Sequence, residues 1–507
     1  MQVAAREIAT SKRGEAPVEE WWGFWVKALE DNATITMTHV QGGGGGGGGD
    51  NKAIELSKRS EVSRVSGTIT LEYSTNGGSN WSSFDTDGGT IITLGEGERV
   101  EFRAGTAGNT QLSVSGGDKR CFVFSGYVAI GGNIMSLLSQ TEITEFPSIS
   151  GEYTLAYLFE ANYTSLIDAS ALSLPATSLV SNCYAGMFSN CSSLTTAPAL
   201  PATTLASYCY NSMFSGCTSL TTAPALPAET LSPYCYVSMF SMCTSLASAP
   251  ALPATSLLNF CYSSMFHGCK SLRTAPTLSA TTLADHSYYN MFYGCTSLTT
   301  APALPATTLE SNCYNGMFKG CTGLTTAPAL PATSLAPYCY REMFCKCTSL
   351  TTAPTLSATS LAIYCYTEMF YDCTALMVAP ALPATKLATF CYSYMFYRCT
   401  SLTTPPTLSA TSLATYCYQY MFYGCISLTT APALPATSLA SYCYRSMFRG
   451  CSNLSAITTS HTAWNPTNAT STWVSSVKSS GTFTCPAALP QTRGNNYIPN
   501  NWTIVTT

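Results

Sequence analysis

The stretch "YCYNSMFSGC", residues 208–217, returns with small changes every 26 residues through most of the chain. Its Met-Phe pair marks the register at Met187, Met213, Met239, Met265, Met291, Met317, Met343, Met369, Met395, Met421 and Met447, without an insertion. With that Met as position zero, Leu recurs at +7 (Leu194, Leu220 to Leu454), +13 (Leu200, Leu226) and +18 (Leu205, Leu231), and Pro at +11 (Pro198, Pro224). A degenerate earlier copy at Leu158-Phe159 reads as a cap. A fixed period of this length marks a solenoid, in which each unit packs only on its neighbours. One unit buries about six large apolar side chains at ~1.5–3 kcal/mol each, against ~1–2 kcal/mol of backbone entropy for every residue. No unit folds alone, so the array is expected to fold cooperatively.

Within a unit, positions −5 to +2 read as a two-turn helix. Ser, Thr, Asn or Asp stands at −6 in eight of eleven copies, where a helix N-cap belongs. Gly at +3 in six copies (Gly216, Gly268, Gly294 among them) suits a left-handed C-terminal cap. At 100° per residue, Cys at −4, Tyr at −3, Met at 0, Phe at +1 and Cys at +4 share one face, while −5, −2, −1 and +2 face outward. After the cap, "LTTAPAL" reads as a short strand that Pro at +11 ends, and stacked copies make a parallel ladder about 4.8 Å apart. The adjacent threonines at +8 and +9 are expected on opposite faces of that strand, which argues against a flat ice-binding surface.

Cysteine fills −4 in ten copies, with Ser287 the exception, and +4 in all eleven. Eight helical residues span about 12 Å, beyond the ~7 Å Cα limit of a disulfide. Like positions on neighbouring coils are close enough to bridge, but nothing in the pattern selects partners. No C-x-x-C occurs, and His39, His267, His286 and His461 fall at unrelated positions, which argues against a metal or any other cofactor. Buried free thiols acting as small apolar side chains are the expectation.

Charged residues make up 10% of the 507, against about 25% in an average soluble protein, so the surface is mostly neutral. A net charge of −4 without a basic cluster argues against nucleic acid as a partner. The N-terminal sequence has charges throughout and no apolar run of signal-peptide length. The most apolar stretch, Cys121 to Leu138, carries Gly, Ser and Asn and reads as strand and turn, not a membrane span.

The unit "CY-x-x-MF-x-G-CTSLTTAPALPATTLA" resembles the BspA-like class of leucine-rich repeats, with a likeness covering about Leu158 to Leu454. The flanks "NIMSLLSQ" (Asn133 to Gln140), "STWVSSVKSSGTF" and "IPNNWTIV" are similar to those of such proteins in gut anaerobic bacteria and their phages. That resemblance implies a surface protein concerned with attachment. The period is longer than the usual BspA-like unit.

The expected organisation is an N-terminal arm at 1–23, a small β-sandwich with a polyglycine loop (Gly42 to Gly49) at 24–130, and a cap with a first degenerate repeat at 131–186. An α/β leucine-rich-repeat solenoid at 187–454 and a C-terminal cap at 455–507 follow. Short β-branched and aromatic runs such as "NATITMTHV" and "GTITLEYS" support the sandwich. "STNGGSNW", Ser74 to Trp81, nearly matches the Asp-box hairpin of sialidases. A single copy, with Asn for Asp, is better read as a plain hairpin turn.

No triad, phosphate loop or His-Glu metal motif appears, so no enzymatic activity is expected. The outward face varies most. It carries Tyr293, Tyr371, Tyr397 and Tyr423 at +2, Tyr208, Tyr234, Tyr338, Tyr364, Tyr416 and Tyr442 at −5, and Arg341, Arg445 and Arg449. Tyrosine and arginine on a charge-poor scaffold suit a host surface glycan or protein, and an ordinary amphipathic surface explains them equally well. Trp21, Trp22, Phe24 and Trp25 form an aromatic patch read either as core or as an anchor to virion proteins. The expectation is a phage virion surface protein, on capsid or tail, with a bacterial cell-surface adhesin or a purely architectural decoration protein as alternatives. Whether it forms a homo-oligomer stays open.

Overall fold

A computed structural model describes residues 23–41, 69–87, 89–109, 112–113, 118–140, 149, 151–160 and 162–507. Trp21, Trp22 and the glycine run at 42–49 lie outside the described residues. The N-terminal strands are β1 (Trp25–Ala28), β2 (Ala33–Gln41), β3 (Leu71–Ser74), β4 (Ser82–Phe84), β5 (Ile92–Leu94), β6 (Arg99–Ala104), β7 (Asp118–Ser125) and β8 (Val128–Asn133). They form two sheets, β4-β3-β6-β1-β8 and β5-β2-β7. Alternation drives the layering: Ala33, Ile35 and Met37 of β2 point inward while the residues between them do not. The inner faces meet in a phenylalanine cluster, with Phe122 of β7 5.2 Å from Phe102 and 5.5 Å from Phe24. The Ser74 to Trp81 stretch closes the β3–β4 hairpin, as expected, and Trp81 lies under Arg103 at 4.0 Å.

The sandwich shares backbone with the repeats. Strand β9 (Leu166–Ser173), in the first coil, pairs parallel with β8 and extends the larger sheet to six strands. Buried Asn162 clamps the junction, accepting from the Phe124 N–H at 2.7 Å and donating to the Phe122 carbonyl at 2.6 Å. Phe159 stacks on Phe122 and on Phe188, so the aromatic core runs from sandwich into array.

The helix expected at −5 to +2 is not there. The segment is a ribbon of overlapping turns in which every fourth residue is left-handed: Tyr208 (φ 60), Ser212 (φ 54) and Gly216 (φ 77) in one coil, and their counterparts in the next. Alternate backbone donors do different work. Cys209, Asn211, Met213, Ser215 and Cys217 each donate three residues back, closing turns. Tyr210, Ser212, Phe214 and Gly216 donate to the next coil, at Cys235, Val237, Met239 and Ser241. An α-helix spends every donor internally; this ribbon spends half of them tying coil to coil. The residues at −6 consequently cap nothing in a helix.

The expected core face is nevertheless present in the ribbon. Met213, Phe214, Cys209, Tyr210 and Cys217 are buried, as are their equivalents along the array. Phe at +1 and Tyr at −3 form continuous stacks, for example Phe318 on Phe344 at 5.7 Å and Tyr314 on Tyr340 at 5.8 Å. Trp473 ends both columns, against Tyr444 at 6.2 Å and Phe448 at 6.1 Å. At this end of the array β10 (Ala456–Thr458), β11 (Thr482–Cys485) and β12 (Thr503–Thr506) make a parallel sheet.

The rest of each coil is held by single parallel bridges such as Thr300↔Thr326, Leu330↔Leu356 and Ser334↔Ser360, not by full strands. Without a sustained pleat the alternation rule fails. Thr299 and Thr300 are both exposed with hydroxyls 3.4 Å apart, which overturns the expectation that +8 and +9 face opposite ways. The +8 hydroxyls point along the stack: Thr325 donates to the Thr299 carbonyl at 3.4 Å and Thr403 to Met377 at 3.3 Å.

Candidate binding face

All 24 cysteines are free and buried. The thiol at +4 donates to the Phe carbonyl of the preceding coil, as Cys321 does to Phe292 at 3.0 Å and Cys347 to Phe318 at 3.1 Å. Cysteine thus fills a small apolar site while satisfying a carbonyl. Burial pushes the Cys321 thiol up to about 12, so it stays protonated at neutral pH. Among the described residues, no three His, Cys, Asp or Glu side chains come together to hold a metal.

The outward surface of the turn ribbon is a different case. Its left-handed columns lie at −5, −1 and +3, where an L-residue costs roughly 1–2 kcal/mol more than glycine. Gly186 and Gly316 take the −1 column in two coils, yet other coils place Glu342, Glu368, Tyr394 or Tyr420 there, all at φ between 56 and 59 or 63 for the glycine Gly316. Backbone conformation does not select those side chains.

The structure brings the expected tyrosines into ladders. Along −5 run Tyr208, Tyr234, Phe260 and His286, then, after Asn312, Tyr338, Tyr364, Phe390, Tyr416 and Tyr442. Adjacent rings stand 4.3 to 4.8 Å apart within 10° of parallel. At +2, Tyr371, Tyr397 and Tyr423 stack at 4.6 Å. Tyr293 is separate, tilted 59° against His267 and 5.7 Å under Lys319. Arg445 reaches over Tyr420 and Tyr442, and Arg449 over Tyr423. Arg341 pairs with Glu342 at 3.0 Å, and Glu342 also holds Lys319. Burial, with Glu342 alongside, raises the Glu368 carboxyl above the ordinary range. The proposed anchor divides: Phe24 is core, while Trp25 lies half-buried in β1 with Arg99 5.3 Å above it.

Stacking has a chemical consequence. A ring inside a ladder has both faces covered, so it offers only its edge and hydroxyl to a partner. The open part of the surface lies instead in an earlier block of coils, which the sequence reading passed over. There Ser212, Ser238 and Ser264 occupy −1, and Ser215 and Ser241 occupy +2, where later coils carry Glu and Tyr. The small side chains leave a trough of 750 Å³ that also takes in His267, Tyr289, Asn290, Tyr293 and Lys319. Burial lowers the His267 pKa below its usual value, keeping the ring neutral at pH 7.

Residues 170–299, 238–377 and 381–469 match the model of the BspA type leucine-rich repeat region, in six copies that together cover more than half the chain. The chain belongs to this family. The BspA-type repeats here are therefore turn-built coils whose leucines at +7 and +13 and inner cysteines form one core. No curated protein and no solved structure matches the chain.

Proposed function

We propose that this BspA-type repeat chain is a non-enzymatic attachment protein displayed at a surface, engaging a host glycan or protein through the outward face of its turn ribbon. The carrying observation is the occupancy of the left-handed columns, where bulky and charged side chains stand at backbone positions that favour glycine. Those side chains stack on or pair with neighbours at the outer surface of the ribbon, as Tyr394 does on Tyr420 and Glu342 with Arg341, and their placement there supports contact with a partner. The non-enzymatic reading is supported by where the reactive groups sit: the thiols are buried and engaged with carbonyls, and His461 is enclosed by Trp464 and Trp473.

As carrier we propose a phage virion, with the N-terminal region joined to virion proteins and the array projecting as a solenoid. The likeness of the flanks supports this placement. The repeat family favours a second carrier, the bacterial cell surface. Mass spectrometry of density-purified phage beside host envelope fractions separates them. Array peptides at stoichiometric level in particles support the virion; recovery in envelopes alone sinks that placement and leaves attachment to be tested by binding of the purified chain to cells.

A further inference from the structure

We propose that the serine trough binds a neutral oligosaccharide; this rests on the attachment reading and names its ligand class and subsite. Its 750 Å³ falls within the range of about 300–1,000 Å³ typical of small-ligand sites. Ser212, Ser238 and Ser264 repeat one hydroxyl per coil, and Ser215 and Ser241 supply a second row. At about 4.8 Å per coil, three coils give a lining about 14 Å long. Each serine hydroxyl both donates and accepts, which matches sugar hydroxyls that do the same.

Charge and backbone narrow the ligand. Lys319 is the cation in the lining, and its ammonium is already held by Glu342. His267 is neutral at pH 7. A carboxylate- or phosphate-bearing ligand would therefore enter without a free counter-charge. A peptide strand needs unspent backbone groups to pair with. The Ser212, Ser238 and Ser264 N–H groups are spent on the next coil, and the Ser215 N–H on the Ser212 carbonyl. What remains is side-chain hydroxyl and amide, the groups that read a sugar.

Tyr289 adds an apolar wall. Its column neighbours are Ser263 and Asn315, and its ring contact is with His286 at 5.3 Å and 51°, so no parallel ring covers its face. That distinguishes it from the ladder tyrosines, whose faces are occupied.

The test uses the full chain on an array of neutral and sialylated oligosaccharides, with titration calorimetry on whichever neutral compound is retained. Ser215→Tyr with Ser241→Tyr fills the trough with the side chain that the same column carries at Tyr371, Tyr397 and Tyr423, so the coils accommodate it. The wild type is expected to retain neutral compounds in preference to sialylated ones. The double variant should lose at least tenfold in affinity with an unchanged urea midpoint, while Tyr371→Ala, Tyr397→Ala and Tyr423→Ala together keep binding. If the filled variant unfolds, Ser238→Ala with Ser264→Ala replaces it, with the same expected loss. Retention of no neutral compound, preference for sialylated ones, or full affinity in the variants overturns the proposal. Cell attachment by the chain that survives the filled trough would remove the trough and spare the attachment reading. Glycan binding without any cell attachment would do the reverse.

Discussion

Ser264 sits at −1, in the middle of the segment that reads as a helix, and has φ 54. Replacing it with Gly and with Val gives opposite orders of stability for the two backbones. In a helix interior Gly is worse than Ser by about 0.5 kcal/mol, and Val is close to Ser. In the turn ribbon, Gly removes a left-handed penalty of roughly 1–2 kcal/mol and gives back about 0.5–1 kcal/mol through the freer unfolded chain. Ser264→Gly should therefore stabilise by about 0.5–1 kcal/mol. Ser264→Val forces a β-branched residue left-handed and should destabilise by at least about 1 kcal/mol. The array already accepts glycine in this column at Gly186 (φ 58) and Gly316 (φ 63). Urea unfolding of the full chain, with amide exchange in the surrounding coil as the local readout, measures the gap. Gly above Val by about 2 kcal/mol supports the ribbon; Val equal to or above Gly refutes it.

The remaining expectations concern the core and the C-terminal cap. Met317 is fully buried, so Met317→Asp should cost more than about 4 kcal/mol and unprotect amides in the coils on either side; an unchanged urea midpoint would reject the core assignment. At pH 8 a thiol reagent should label almost none of the 24 cysteines in the native chain and all of them in denaturant; prompt native labelling would place them outside the core. Burial lowers the His461 pKa to about 4, below its unfolded value, so its contribution is intact above about pH 6.5 and is lost as pH falls towards 4. His461→Phe should flatten that acid sensitivity in unfolding midpoints measured between pH 7 and 4, and a parallel acid profile in the variant would contradict the assignment. Tyr314 is buried with no protein hydrogen-bond partner for its hydroxyl, so Tyr314→Phe should change stability by no more than about 1 kcal/mol; a large loss would mean the hydroxyl is engaged.

The 26-residue period, the inward Met, Phe, Tyr and Leu positions and the buried thiols were legible because burial follows the chain at one period. The backbone between those positions was not. Cys at −4, Tyr at −3, Met at 0, Phe at +1 and Cys at +4 fit a helical face and a strict four-residue turn repeat alike, since over eight residues the two drift apart by only about 80°. The discriminating signal lies in the outward pairs at −2, −1 and +2, +3, which repeat at four just as the inward pairs do. The threonines were misplaced for a related reason: Thr299 and Thr300 were read with the alternation of a strand, whereas isolated bridges four residues apart, such as those at Thr326, Leu330 and Ser334, leave no strand to alternate. For the binding face, tyrosines drew notice and serines did not. Phe260, His286 and Phe390 complete the −5 ladder and were missed because they are not tyrosine, although their column was known. Ser212, Ser238 and Ser264 were missed because a small hydroxyl looks like filler until the side-chain volumes down one column are compared.

The most direct test of the account is far-UV circular dichroism of the purified chain. Turn-built coils predict a spectrum without the paired minima of an α-helix, because the described residues contain one short 3-10 turn, Ile134–Leu137, and no α-helix. Helical minima corresponding to the eight residues from −5 to +2 in each 26-residue coil would contradict the ribbon, and with it the left-handed columns and the trough they frame.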